Sequence, residues 1–322
     1  MTQSISTLES VPFIFGLSGP SLTADERAFF QDVRPLGFFL FQASIVSSEQ
    51  LRALLSELKE LLGRKKILTL VDGEGGRVWR LPKMLGLRPP AAAHFGKLYE
   101  QNSEEALSQC YKNYQTIGGM LADLGIAGNC APCLDLYVPG SHSVIGDRAF
   151  HQDPSVVAAL GRQAILGLES AGVTAIVKHM PGQGPALGDS HDVLPRISLS
   201  REALDPHLAP FRELSHMYTW GMVSHLVYEA FDHTHPAPFS STIVEDVIRQ
   251  RIGFDGVLIT DDLYMGALMA YSPQEKAERA LGAGCDLLLY AKGGVHTYQQ
   301  AVRGLKGWGG YRTACLTQLA LP

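Results

Sequence analysis

Gly256-Val-Leu-Ile-Thr-Asp-Asp-Leu263 is an apolar run that stops on two adjacent carboxylates. An unbroken apolar run, rather than an alternating one, describes a strand covered on both faces, as in a parallel sheet. Similar runs occur at 12–16, 37–41, 67–72, 127–136, 173–178, 221–225 and 285–290, making eight with 257–261. Helical patterns fall between them at 49–62, 103–124, 154–171, 242–251 and 273–283. Ser103-Glu-Glu and Asp153-Pro-Ser read as helix starts, and Ser272-Pro-Gln-Glu275 has the spacing of a capping box. The alternation favours an α/β fold built as a single (β/α)8 TIM-type barrel, with some strands irregular, over a doubly wound sheet. No Pro/Ser-rich linker or shift in composition divides the chain, so residues 1–322 are expected to form one catalytic barrel domain.

Composition narrows the class. The 322 residues are 46% hydrophobic and 18% charged, with a formal net charge of −5. This balance, with no basic arm, gives no electrostatic reason to expect nucleic acid. No apolar stretch approaches the roughly 20 residues of a spanning helix, and no membrane partner is expected. The first ten residues lack the basic start and apolar core of a signal peptide, and five cysteines show no framework spacing. The expected address is the cytoplasm, and the expected state a monomer.

In such a barrel, reactive groups should gather where strands end. Asp72, Asp135, Lys178, His179, His225 and Asp261 all finish candidate strands, where charge is a poor choice for packing. Asp261 pointing into the barrel mouth suits a nucleophile or a cation-stabilising carboxylate; a helix N-cap fits either Asp261 or Asp262 equally well when each is taken alone. Asp189-Ser-His191 follows a loop with three glycines and two prolines, 181–188. There a carboxylate two residues from an imidazole can orient it for proton transfer, although a solvated polar turn has the same sequence. Lys178-His179, Asp72 with Arg80, and Arg148 supply donors and acceptors suited to sugar hydroxyls; each alone also fits a turn with a local ion pair. No helical H-x-x-x-H pair is present, and Cys130-Ala-Pro-Cys133 lies in a strand and its exit, so a metal centre fits these residues poorly. Walker and G-x-S-x-G patterns are absent.

The order of motifs closely resembles glycoside hydrolase family 3, and within it the single-domain NagZ-type β-N-acetylglucosaminidases. The likeness is carried by Gly37-Phe-Phe-Leu-Phe41, Val71-Asp-Gly-Glu-Gly-Gly-Arg-Val78, Ala131-Pro-Cys-Leu-Asp135, Ile145-Gly-Asp-Arg148, Lys178-His-Met-Pro-Gly-Gln-Gly184, Asp189-Ser-His191 and 253–263. It implies a retaining β-N-acetylhexosaminidase with Asp261 as nucleophile and His191 as general acid/base, assisted by Asp189. It also implies that Asp72, Arg80, Arg148, Lys178 and His179 bind the terminal N-acetylglucosamine. The implied task is removal of that sugar from 1,6-anhydro-muropeptides in bacterial cell-wall recycling, a small carbohydrate substrate handled without a metal or an organic cofactor. Departures from the common pattern are Gly73, Met180, Gln183, Thr260 and the strand exit Phe41-Gln-Ala-Ser. Two alternatives use the same residues: a β-N-acetylglucosaminide phosphorylase, and a non-catalytic sugar-binding barrel.

Overall fold

Eight short parallel strands close into a ring in the computed structural model, which describes residues 10–82, 86–303 and 305. They are β1 (Val11–Gly16), β2 (Pro35–Leu40), β3 (Leu68–Val71), β4 (Gly128–Asn129), β5 (Thr174–Met180), β6 (Trp220–Val223), β7 (Val257–Asp262) and β8 (Leu287–Tyr290). Each pairs with its sequence neighbours, and β1 closes the ring by pairing with both β2 and β8, in register Ile14↔Gly37 and Ile14↔Leu289. This is the expected (β/α)8 barrel.

The apolar runs are continuous because each strand is buried on two faces. Alternate residues such as Leu68, Leu70, Ile176, Val257, Ile259, Leu287 and Leu289 fill the barrel interior. Their neighbours Val71, Val177, Leu258 and Leu288 pack outward under the helices. A side-chain period of two extends each inward file to the strand's C-terminal end. From 68 and 70 it reaches Asp72, from 176 Lys178, and from 257 and 259 Asp261. The same alternation that packs the core therefore delivers these three polar groups to one mouth.

Helices cover the outside. Ser48–Leu62 shows the local logic: Ser47 caps it by accepting from Gln50 N, and Leu51, Leu54, Leu55, Leu58 and Leu62 are buried. Gly63 ends it at φ +62°, a conformation disfavoured for residues with a Cβ. Asp153 and the Ser272–Glu275 capping box act as the sequence suggests. At the third start Asn102, not Ser103, is the cap. The chain also forms helices Ala24–Val33, Ala92–Gln101, Arg201–Leu214 and Gly294–Ala301, which the apolar pattern alone does not announce. Thr242–Ile252 is a wide, π-type helix. The expected strand 127–136 pairs regularly only at Gly128–Asn129, with one further bridge from Cys133 to Lys178. No helix among the described residues is long and apolar enough to cross a membrane.

Candidate active site

A cavity of about 290 Å³ opens at the barrel mouth, bordered by Asp72, Arg80, His191, Asp261 and Asp262, with apolar groups including Phe39 and Met222. Thus Asp261 and His191, seventy positions apart in sequence, face one space.

Asp261 is half-buried at the end of β7, and its Oδ1 accepts the Asp262 N–H at 2.8 Å. Burial opposes its ionisation, but the His225 imidazole, that N–H and the Lys178 ammonium outweigh it and hold the carboxyl below its ordinary range. Asp262 points the other way. Its Oδ1 accepts Tyr264 N and Ala291 N, both at 3.0 Å, tying the ends of β7 and β8 together. Asp262 therefore secures a turn rather than capping the next helix, whose cap is Ser272. Burial pushes the Asp262 carboxyl up to about 6. His225 at the end of β6 donates Nε2–H to the Asp262 carbonyl at 3.0 Å, and burial pushes its pKa down against the opposing pull of the Asp261 carboxylate.

His191 is exposed, and its Nδ1 lies 2.7 Å from Asp189 Oδ1, which also accepts the His191 N–H at 2.9 Å. An ionised carboxylate beside the ring fixes the proton on Nδ1 and leaves Nε2 for chemistry. The His191 backbone N–H and side chain offset the burial of Asp189 and lower its pKa. The loop is stitched to the β7 exit: Gly266 N donates to His191 O at 2.9 Å and Ala267 N to Ser190 O at 3.0 Å. A Cβ at Gly266 would stand 2.3 Å from His191 O, so this approach requires glycine.

Behind Asp72 lies a buried charge cluster. Lys178 Nζ bridges Asp72 Oδ1 at 2.9 Å and Glu74 Oε1 at 2.6 Å. Arg148 forks onto Glu74 at 2.8 and 2.9 Å. Burial would raise the Glu74 pKa, yet Arg148 and Lys178 hold it far below the ordinary carboxylate range. The same carboxylates overcome the burial of Lys178 and keep it charged. His179 Nδ1 meets Asp135 Oδ2 at 2.6 Å, and its Nε2 meets Arg148 at 3.2 Å. A guanidinium can only donate, so Nε2 accepts and the proton sits on Nδ1. Asp72 and Arg80 border the cavity; Lys178, Arg148 and His179 do not, and form its polar backing.

Glu74 and Asn129 complete this architecture without having been singled out from sequence. Asn129 exchanges two hydrogen bonds with the Gly73 backbone, at 2.8 and 2.9 Å, and so places the hairpin that carries Glu74. Asp135, recognised only as a strand end, accepts from His179, Cys133 and the Gln183 N–H. Met180 lies against Gly221, where a Cβ would come within 2.7 Å of its methyl group.

Cys133, Asp135 and His179 are buried with potential ligand atoms within 4.8 Å of one another. Their donor set does not suit a resident metal. Asp135 Oδ2 already serves His179 and Cys133, Arg148 brings a cation to His179 Nε2, and burial pushes the Cys133 thiol well up. Zinc ligation needs the thiolate.

Comparison with known proteins gives the family of the chain. Residues 6–307 match the family model for the glycosyl hydrolase family 3 N-terminal domain. A β-hexosaminidase of Alkalilimnicola ehrlichii is 37% identical over 281 residues, covering 86% of this chain and 80% of that protein. Native NagZ from Neisseria gonorrhoeae superposes with a TM-score of 0.80 at 30% identity, over 98% of this chain and 99% of that one. A family 3 β-N-acetylglucosaminidase from Paenibacillus gives 0.85 at 31% identity, over 97% of this chain but only 58% of the longer enzyme. With nearly its whole length matched by the family model and by these enzymes, the chain belongs to glycoside hydrolase family 3 and shares the NagZ-type barrel.

Proposed function

We propose that this hydrolase is a retaining β-N-acetylglucosaminidase acting on terminal N-acetylglucosamine of muropeptide-type glycosides, with residues 1–322 working as one catalytic barrel. The observation that carries the proposal is that Asp261 and His191 border the same cavity. In the first step Asp261 Oδ forms a bond to the anomeric carbon as the bond to the leaving oxygen breaks. That oxygen takes the Nε2 proton of His191. In the second step Nε2 removes a proton from water, the water oxygen bonds to the anomeric carbon, and Asp261 departs. Two inversions give net retention. Asp189 orients the ring and offsets its charge while both nitrogens are protonated. Imidazole thus replaces the second carboxylate of the common glycosidase pair.

Asp72 and Arg80 meet hydroxyls of the terminal sugar, with Lys178, Arg148 and His179 forming the floor that orients them. The names of the relatives, a β-hexosaminidase and a β-N-acetylglucosaminidase, support the choice of sugar. A monomer in the bacterial cytoplasm, serving cell-wall recycling, completes the proposal. Following an aryl β-N-acetylglucosaminide by proton NMR tests it. Free β-N-acetylglucosamine should form first, unchanged by added phosphate. An α product would contradict retention, and a sugar 1-phosphate would identify a phosphorylase.

A further inference from the structure

We propose that Lys292, with Phe41 and Tyr264, forms a leaving-group subsite that selects substrates bearing a carboxylate on the aglycone, a specificity that rests on the hydrolase function proposed above. The inward file of β8, Leu287 and Leu289, ends at Ala291, and Lys292 follows it at the edge of the cavity that holds Asp261 and His191. Four other cations around the barrel mouth face carboxylates: Lys178 those of Asp72 and Glu74, Arg148 that of Glu74, Arg77 that of Asp147, and Arg80, more distantly, that of Asp72 at 3.9 Å, while Lys276 donates to the Leu263 carbonyl. Lys292 forms no ion pair within 4.0 Å among the described residues; its charge reaches the buried Asp262 carboxyl only from beyond that distance. Its Nζ instead lies 5.7 Å from the centroid of the Phe41 ring, whose face holds the ammonium while leaving its protons available.

Tyr264 completes the wall. Its ring lies against Gly293, where a Cβ would come within 2.7 Å of it and where φ is +102°. The exposed aromatic face beside a cation suits a ring that carries an acidic group. Helix Gly294–Ala301 starts directly after, and no side chain caps its first turn. The helix dipole adds to the positive potential there. The side of the cavity follows from the acid. His191 is bonded through its backbone to Gly266, two residues beyond Tyr264. A proton donor must sit beside the leaving oxygen, so the Tyr264–Lys292 wall lies on the leaving-group side. The Asp72–Lys178–Glu74 cluster, from the β3 and β5 sector, lies behind the terminal sugar.

The test uses sulfur-linked phenyl β-N-acetylglucosaminides, which resist hydrolysis, with and without a ring carboxylate. Their Kd values are measured by calorimetry for the native enzyme, K292M and K292E, at low and high salt. The native enzyme should prefer the carboxylated ligand about fivefold, roughly 1 kcal/mol as for a partly exposed ion pair. K292M should abolish the preference, K292E reverse it, and salt weaken it. The same preference in all three proteins, no preference in the native enzyme, or no binding of the carboxylated ligand would each overturn the proposal. Binding is read without turnover. A failure of the hydrolase function, seen as an oxygen-linked neutral glycoside left intact, therefore remains separate from a failure of Lys292.

Discussion

Two carboxylate–imidazole pairs of nearly equal length occupy opposite environments in this barrel. Asp135–His179 spans 2.6 Å and is buried; Asp189–His191 spans 2.7 Å, with the His191 side chain 55% exposed. Both His179 nitrogens are engaged, one by Asp135 and one by Arg148. His191 has its Nε2 free of any partner among the described residues and borders the cavity. Hydrogen-bond length therefore does not distinguish the pair proposed for proton transfer from the buried one; the accessibility of the second nitrogen does.

Removing His191 should give the largest effect. H191A is expected to lower kcat by about 10²–10⁴-fold, the usual contribution of a positioned acid/base. The loss should shrink for a dinitrophenyl glycoside, whose leaving group needs little protonation. Thermal unfolding should barely move, because the lost side chain is exposed. Equal loss of stability and activity would place His191 with the structural pair instead.

The buried pair should respond in the opposite sense. D135N leaves the acceptor of four donor contacts altered and is expected to cost about 2–4 kcal/mol of stability, read from denaturant unfolding. Interaction with His179 and the Gln183 N–H outweighs burial and holds the Asp135 carboxyl below its ordinary range. A lowered carboxylate contributes stability above its unfolded pKa of about 4, and that contribution is lost as pH falls through the folded value. The native protein should therefore lose its advantage over D135N on acidification.

Asp262 supplies the smaller and oppositely signed case. Its folded pKa of about 6 lies above the ordinary 3.8, because burial favours the protonated form. The folded state then binds the proton first, and stability falls as pH rises between those values. D262N keeps an Oδ1 acceptor for Tyr264 and Ala291, so relative to the native protein it should gain about 1–3 kcal/mol from pH 4 to pH 6. Parallel stability curves for the two proteins would show that Asp262 titrates normally.

Strand signals survived translation into structure where burial on two faces left an unbroken apolar run, as in 257–261 and 285–290. Helix Arg201–Leu214 escaped because Pro206 and Pro210 lie inside it, and proline ordinarily argues against a helix interior. Helix Ala24–Val33 did carry a legible start, since Thr23 and Glu26 form a capping box. Within the site, Asp261 and the Asp189–His191 pair could be picked out because a charge ending a buried strand, or a pair two residues apart, is local information. Glu74 could not: its partners Arg148 and Lys178 are distant in sequence and meet it only when β3 and β5 share a barrel.

The central claim is that Asp261 is the atom source for a glycosyl-enzyme bond, with the exposed imidazole working across the cavity from it. Trapping the enzyme with a slow fluorinated N-acetylglucosaminide, followed by peptide mass analysis, tests this most directly. The account predicts one sugar adduct, on the peptide containing Asp261, and none in D261N. An adduct on Asp72, on Asp262 or on His191 would contradict it.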